Sequence, residues 1–256
     1  MILAVDIGNS NIVIGAIEGE NILFEARLRT DPTKTSDEYC IDVKSILDVY
    51  GVNSAVVEGA IIASVVPQVL NSIKTAIKKL TGKNALVVGP GLKTGLNIKI
   101  ENPAQTGADL VVGCVAALRE HKPPMIVIDM GTATTMIVLD EKGALIGGSI
   151  SPGVKISMDA LTDRTALLPG LQLDQPKRAI GRNTIDCMRS GIMLGNACML
   201  DGMVERMEAE LGQKATVVIT GGIAKFVIPM CKTPMIYDKD LLLKGLAALY
   251  RDNAQA

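Results

Sequence analysis

Two short stretches of this chain have the residue types and spacing to handle phosphate. Asp6 is followed by Ile7 and Gly8, then by Asn9, Ser10 and Asn11; Asp129 is followed by Met130 and Gly131, then by Thr132, Ala133 and Thr134. A glycine two positions after an aspartate lets the backbone bend with no side chain in the way, so successive amide N–H groups can converge on an anion. A carboxylate ending the preceding strand then stands beside that cradle, where it can hold Mg2+ directly or through water. One such turn is ordinary hairpin chemistry. Two, about half the chain apart and each followed by small polar side chains, predict a pair of phosphate cradles gripping one nucleoside triphosphate across a cleft.

The flanking residues predict how these turns are positioned. An apolar run precedes each, Ile2 to Val5 and Met125 to Ile128, and a β-rich run follows, Ile12 to Ile17 and Thr135 to Leu139. Third strands are expected at Asn21 to Arg29 and Ala144 to Ile150, after turns at Gly19 and Gly143. Two copies of one meander therefore open two halves. Thr35 and Glu38 form a capping box for a helix to about Val49; Ala60 to Val66 reads as a strand, Pro67 to Lys79 as a helix, and Ala85 to Val88 as a strand. The second half repeats this with a strand over Thr216 to Ile219, a turn at Thr220, Gly221 and Gly222, and a helix from Leu241 to about Tyr250. His121 to Pro124 is the most linker-like stretch, giving domains 1-120 and 121-256. Thr184 to Gly212 reads as a long helix whose Met188, Ile192, Cys198, Met199, Met203 and Met207 suit a partner or an internal core equally.

Composition removes several alternatives. With 26 basic against 27 acidic side chains the formal net charge is -1, so nothing draws the chain as a whole toward nucleic acid or a membrane surface. Without Trp, and with two Phe and four Tyr, base-stacking platforms are scarce. Five scattered cysteines, none in a Cys-x-x-Cys pair, point to a reducing compartment without structural zinc. The segment after Met1 has no signal-like pattern, and no apolar run nears the ~18 residues that span a bilayer, so a cytoplasmic protein is expected. Gly89 to Thr94 lacks P-loop spacing and is followed by β-like residues, which makes it a turn. His121 is the single histidine, so neither a catalytic triad nor a histidine-rich metal site is readily built.

The paired turns resemble the phosphate motifs of the acetate-kinase, sugar-kinase, heat-shock ATPase and actin superfamily, which implies an α/β, duplicated ribonuclease-H-like fold with a nucleotide cleft between two similar halves. Six motifs in order extend the likeness: Asp6 to Ser10, Gly107-Ala108-Asp109, Asp129 to Thr134, Gly147 to Gly153, Gly181 to Thr184, and Thr220-Gly221-Gly222. In this the chain is similar to type III pantothenate kinases over nearly its whole length. The resemblance implies ATP-dependent phosphorylation of pantothenate at the first step of coenzyme A biosynthesis. By the same likeness Asp6, Ile7, Gly8, Asn9, Ser10, Asn11, Ile12 and Val13, with Gly131, Thr132, Gly221 and Gly222, bind ATP; Asp6 is a candidate for Mg2+ and Asp129 for a monovalent cation, K+ or NH4+. It also implies that Asp109 is the base, that Ile100, Gly107, Ala108, Asp109 and Leu110 line the substrate, and that Thr184 reaches the neighbouring active site of a homodimer. Read from its position alone, Asp109 equally suits a charge that complements a helix dipole.

Two positions depart from the family pattern. Leu110 stands where an Arg is usual and Ile100 where a Tyr is usual, so a charged fork for the acceptor's carboxylate is missing, and Lys99 or Arg119 are the nearby cations that could replace it. Three function classes follow: a metabolite kinase, a nucleotide-driven conformational or filament-forming protein, and a kinase-like paralogue with altered or lost acceptor specificity. The intact phosphate motifs favour the first, and Leu110 with Ile100 is the argument for the third.

Overall fold

The computed structural model describes residues 1–254. Its contacts divide the chain into two compact units, the first made of Met1–Leu96, Glu101–Arg119 and the residues from Asp240, the second of Asn97–Ile100 and Glu120–Lys239.

The first unit is built on five strands, β1 (Ile2–Ile7), β2 (Asn11–Glu18), β3 (Asn21–Arg29), β4 (Gly59–Ser64) and β5 (Ala85–Val87), ordered β3-β2-β1-β4-β5. β1 is antiparallel to β2 and parallel to β4, with Asp6 opposite both Val13 and Ala63. Continuous burial along β1 explains its unbroken apolar run, since a central strand covered on both faces has no polar alternation. One face carries Leu3, Val5, Ile7, Ile12, Ile14 and Ile62 into a core with α1 (Ser36–Val49) and α2 (Pro67–Thr81). α1 starts at the expected capping box: Glu38 N–H donates to Thr35 Oγ1 at 3.3 Å and Thr35 N–H to Glu38 Oε2 at 2.8 Å. α3 (Ala108–Glu120) and α8 (Leu241–Ala254) complete the unit, and Leu243 of α8 occupies the space over Gly15 on the other sheet face.

The second unit repeats this plan with β6 (Met125–Met130), β7 (Ala133–Leu139), β8 (Leu145–Pro152), β9 (Thr216–Thr220) and β10 (Ile236–Tyr237), ordered β10-β9-β6-β7-β8. Read from its first strand, each sheet runs third, second, first, fourth, fifth, with the same alternation of antiparallel and parallel pairs. The duplicated meander expected from the sequence is therefore a duplicated sheet, the actin-like ATPase fold. Its core packs Ile126, Ile128, Met130, Met136 and Ile219 against α6 (Gly195–Leu211), which contributes Ala197, Leu200 and Val204. α4 (Val154–Asp163), α5 (Thr184–Arg189) and α7 (Ala224–Val227) belong to the same unit.

Three features differ from the sequence expectation. Residues from Asp240 go with the first unit, because the apolar side of α8, with Leu241, Leu243, Leu246 and Leu249 buried, packs against β1 and β4. Asn97–Ile100 goes with the second unit through an Ile98 to Leu145 bridge, with Lys99 N–H donating to Leu145 O at 2.8 Å. The long helix over Thr184 to Gly212 is interrupted by a π turn at Ser190–Leu194, and its apolar side serves the internal core while Cys198 is exposed. Among the described residues no helix is long and apolar enough to cross a membrane.

Candidate active site

The first Asp-x-Gly turn is braced from behind. Gly8 N–H donates to Asn11 O at 3.0 Å, Thr30 Oγ1 donates to Gly8 O at 2.7 Å, and Thr30 N–H donates to Ser10 O at 3.0 Å. Thr30, just past β3, is itself buried, so the third strand of the meander fixes the turn between the first two. Ile7 and Ile12 point into the core, and in an ATP site they could offer only backbone groups. Asn9, Ser10 and Asn11 are exposed, and Asp6 is partly exposed on the sheet face opposite α1 and α2.

The second turn is the same device made one residue shorter, since the last pairs are Ile7 with Ile12 in one and Met130 with Thr134 in the other. Gly131 N–H closes it onto Ala133 O at 3.0 Å. Gly153, the N-cap of α4, packs flat on this turn: a Cβ there would lie 2.6 Å from Gly131 O and 2.9 Å from the Thr132 carbonyl carbon. Gly221, at φ 101°, brings the turn after β9 against the Met130 backbone in the same way, beside exposed Gly222. Thr132 therefore sits on a loop gripped by two glycine contacts.

Asp129 stands opposite Thr135 of β7 and Thr220 of β9, which places one carboxylate and two hydroxyls in a row on one sheet face. The Thr135 Oγ1 is buried and has no hydrogen-bond partner among the described residues, and Thr220 is buried as well. An oxygen-only row with an orphaned hydroxyl fits a hard cation whose remaining ligands are water or phosphate oxygens. No cluster of three or more His, Cys, Asp or Glu side chains offers another metal site among the described residues.

Asp109 lies in the first turn of α3, in the first unit. Its Oδ1 accepts the Leu110 N–H at 2.8 Å and lies over Gly107, where a Cβ would come within 2.5 Å of that oxygen. Burial raises the Asp109 pKa, and the Leu110 N–H opposes the rise only in part. A carboxyl that merely complemented a helix dipole would be held in its charged form; this one is pushed toward taking a proton. Just before Gly107, the Thr106 hydroxyl is buried and has no partner among the described residues.

Ala108 opens α3, Leu110 is partly buried next to Asp109, and Ile100 is partly buried in the second unit. Lys99 and Arg119 are already paired, Lys99 Nζ with Asp140 Oδ2 at 3.0 Å and Arg119 with Asp252, so neither stands as an unclaimed cation. Thr184 is the exposed first residue of α5, after Asn183, whose Oδ1 accepts the Asp186 N–H at 2.9 Å.

Comparison with known proteins decides the family. The profile described as type III pantothenate kinase matches residues 2–206. A type III pantothenate kinase of an Exiguobacterium species is 44% identical over 99% of both chains, and that of Halalkalibacterium halodurans 42% identical over 99% of this chain and 100% of its own. This chain belongs to the type III pantothenate kinases. Among solved structures, the activator of 2-hydroxyisocaproyl-CoA dehydratase from Clostridium difficile with bound ADPNP has a TM-score of 0.58 at 14% identity, covering 97% of this chain and 93% of its own. MreB 5 of Spiroplasma citri bound to AMPPNP has a TM-score of 0.58 at 9% identity, covering 98% and 96%. At such identities the likeness establishes the fold alone, and it gives no support to a filament-forming function. As a type III pantothenate kinase the chain is an ATP-dependent phosphotransferase with a small-molecule acceptor.

Proposed function

We infer that this chain transfers the terminal phosphoryl group of Mg-ATP to the hydroxyl of pantothenate, releasing ADP and 4'-phosphopantothenate at the first step of coenzyme A biosynthesis. Kinship over essentially the full length with type III pantothenate kinases carries the reading and disfavours a repurposed paralogue. Nucleotide binding draws further support from the ATP analogues held by two proteins of the same fold.

In the proposed reaction the acceptor hydroxyl oxygen attacks the γ-phosphorus as the bond to the bridging oxygen breaks. Asp109 orients that hydroxyl and takes its proton late in the transfer, a task suited to a carboxyl whose pKa burial has raised. The turn from Asp6 to Val13 and the one at Gly131 and Thr132 take the phosphates through backbone N–H groups, joined by Gly221 and Gly222. Mg2+, for which Asp6 is the candidate ligand, would neutralise charge on the phosphates. Asp129 holds a monovalent cation, K+ or NH4+, and the opposing Thr135 and Thr220 extend that oxygen row. Gly107, Ala108, Leu110 and Ile100 line the acceptor, and Thr184 completes the site of the other subunit in a homodimer.

The test is ADP release by purified protein with Mg-ATP and K+ or NH4+, with and without pantothenate. Pantothenate-dependent turnover is expected. ADP release that is indifferent to pantothenate would return the chain to the class of altered acceptor specificity.

A further inference from the structure

Arg189, the last residue of α5, is a cation whose guanidinium makes no hydrogen bond among the described residues. Its side chain is 22% exposed, its Nε is buried with no acceptor, and its terminal nitrogens approach only Asp174 Oδ2 at 3.8 Å and Asp186 Oδ1 at 3.9 Å. These are ion-pair distances beyond hydrogen-bond reach, and a guanidinium has five donors to satisfy. Leaving Nε buried and unmatched is costly, which marks a place where an acceptor from outside the chain belongs.

The segment that carries Arg189 is basic in sequence, and its two nearest carboxylates are loosely engaged. Asp186 is already held by Asn183, whose Nδ2 donates to its Oδ2 at 2.9 Å, and the Asp174 side chain is largely exposed. Lys177, Arg178 and Arg182 lie between the two aspartates, so the stretch from Asp174 to Arg189 is net positive. Directly after Arg189 the helix slips into the π turn at Ser190–Leu194, and Ser190 Oγ donates to Ala179 O at 2.6 Å, tying the irregular segment to the helix. Such slips in a helical ladder are often kept where a side chain must be aimed at a ligand.

On the acceptor side, Leu110 offers no side-chain donor and Ile100 no hydroxyl, while Lys99 and Arg119 are committed to Asp140 and Asp252. We propose that Arg189 is a specificity-determining residue whose guanidinium fork takes the acceptor's carboxylate. The assignment rests on the pantothenate kinase reading, in which α5 meets the acceptor through Thr184. Thr184 begins and Arg189 ends the same helix, a rise of about 7.5 Å and about 140° apart around its axis. Bidentate pairing would put the exposed edge of the guanidinium on the carboxylate in place of the two distant aspartates.

The experiment compares wild type, Arg189→Gln and Arg189→Lys with Mg-ATP and K+, using pantothenate and panthenol, in which a hydroxymethyl group replaces the carboxylate. Arg189→Gln is expected to raise the pantothenate KM about ten- to hundredfold with little change in kcat, in the ATP KM or in the panthenol KM, and Arg189→Lys to recover part of the loss. Equal losses with both acceptors, an unchanged pantothenate KM, or a raised ATP KM would overturn the assignment while leaving the kinase reading in place. Wild type that releases no pantothenate-dependent ADP would remove both. Should Arg189→Gln not fold, Asp174→Asn serves instead: freeing the guanidinium should lower the pantothenate KM relative to that for panthenol, and an unaltered ratio refutes the idea.

Discussion

A carboxylate that must take a proton from an alcohol works best when its own proton affinity has been raised toward the working pH. Burial does this to Asp109, and Gly107 makes room for the raised group by leaving open the space its Oδ1 occupies. A carboxyl whose pKa is higher in the folded than in the unfolded state destabilises the fold wherever it is ionised in both, and that cost fades as pH falls through the folded value toward 3.8. Asp109→Asn should therefore abolish phosphoryl transfer, keep the Mg-ATP thermal shift, and melt higher than wild type at neutral pH, with the difference shrinking in acid. Retained turnover would remove Asp109 from the role of base, and a lower melting temperature at every pH would contradict the desolvation argument. At this scale residue type and spacing single out the turns at Asp6 and Asp129, whereas Asp109 is singled out by the family resemblance, its position alone suiting a helix-dipole charge equally. Sequence pattern was silent on Arg189, whose lack of hydrogen-bond partners depends on the segment folded around it. The same limit held for Lys99 and Arg119, whose carboxylate partners lie far off in the chain.

The two turns owe their shape to elements behind them. Gly153 packs on the second turn against backbone atoms, which cannot swing aside as a side-chain tip would. Gly153→Ala should displace Thr132, cost about 1–3 kcal/mol of stability and weaken the Mg-ATP thermal shift. Calorimetry with and without nucleotide reads both, and an alanine variant that bound nucleotide like wild type would separate this turn from the phosphates. Most elements were legible beforehand, because apolar and β-rich runs bounded by turn residues, the Thr35 capping box and Pro67 act locally. What escaped has non-local causes. β10 is two residues long and exists through its pairing with β9, and the π turn interrupts a sequence that reads as one continuous helix. The allegiance of α8 likewise depends on which sheet face was left to cover.

For the whole molecule, the proposal that Thr184 serves the neighbouring subunit has a consequence that no single-chain account shares. Asp109→Asn and a Thr184→Val variant of low activity, each homodimeric, should complement when subunits are exchanged. One of the two sites in every mixed dimer then receives both native residues, so random mixing should restore about a quarter of wild-type activity. If both residues served the same subunit's site, mixing would restore nothing, and the activity of the exchanged mixture decides between the two arrangements.

A ribosome delivers residues in chain order, and the return of α8 to the opening sheet makes that order matter. β1 to β3 emerge early, yet the face carrying Gly15 has no Leu243 to cover it until translation has passed through the whole second unit. The unit made first is thus completed last. During synthesis its uncovered strands expose apolar surface of the kind that chaperones protect.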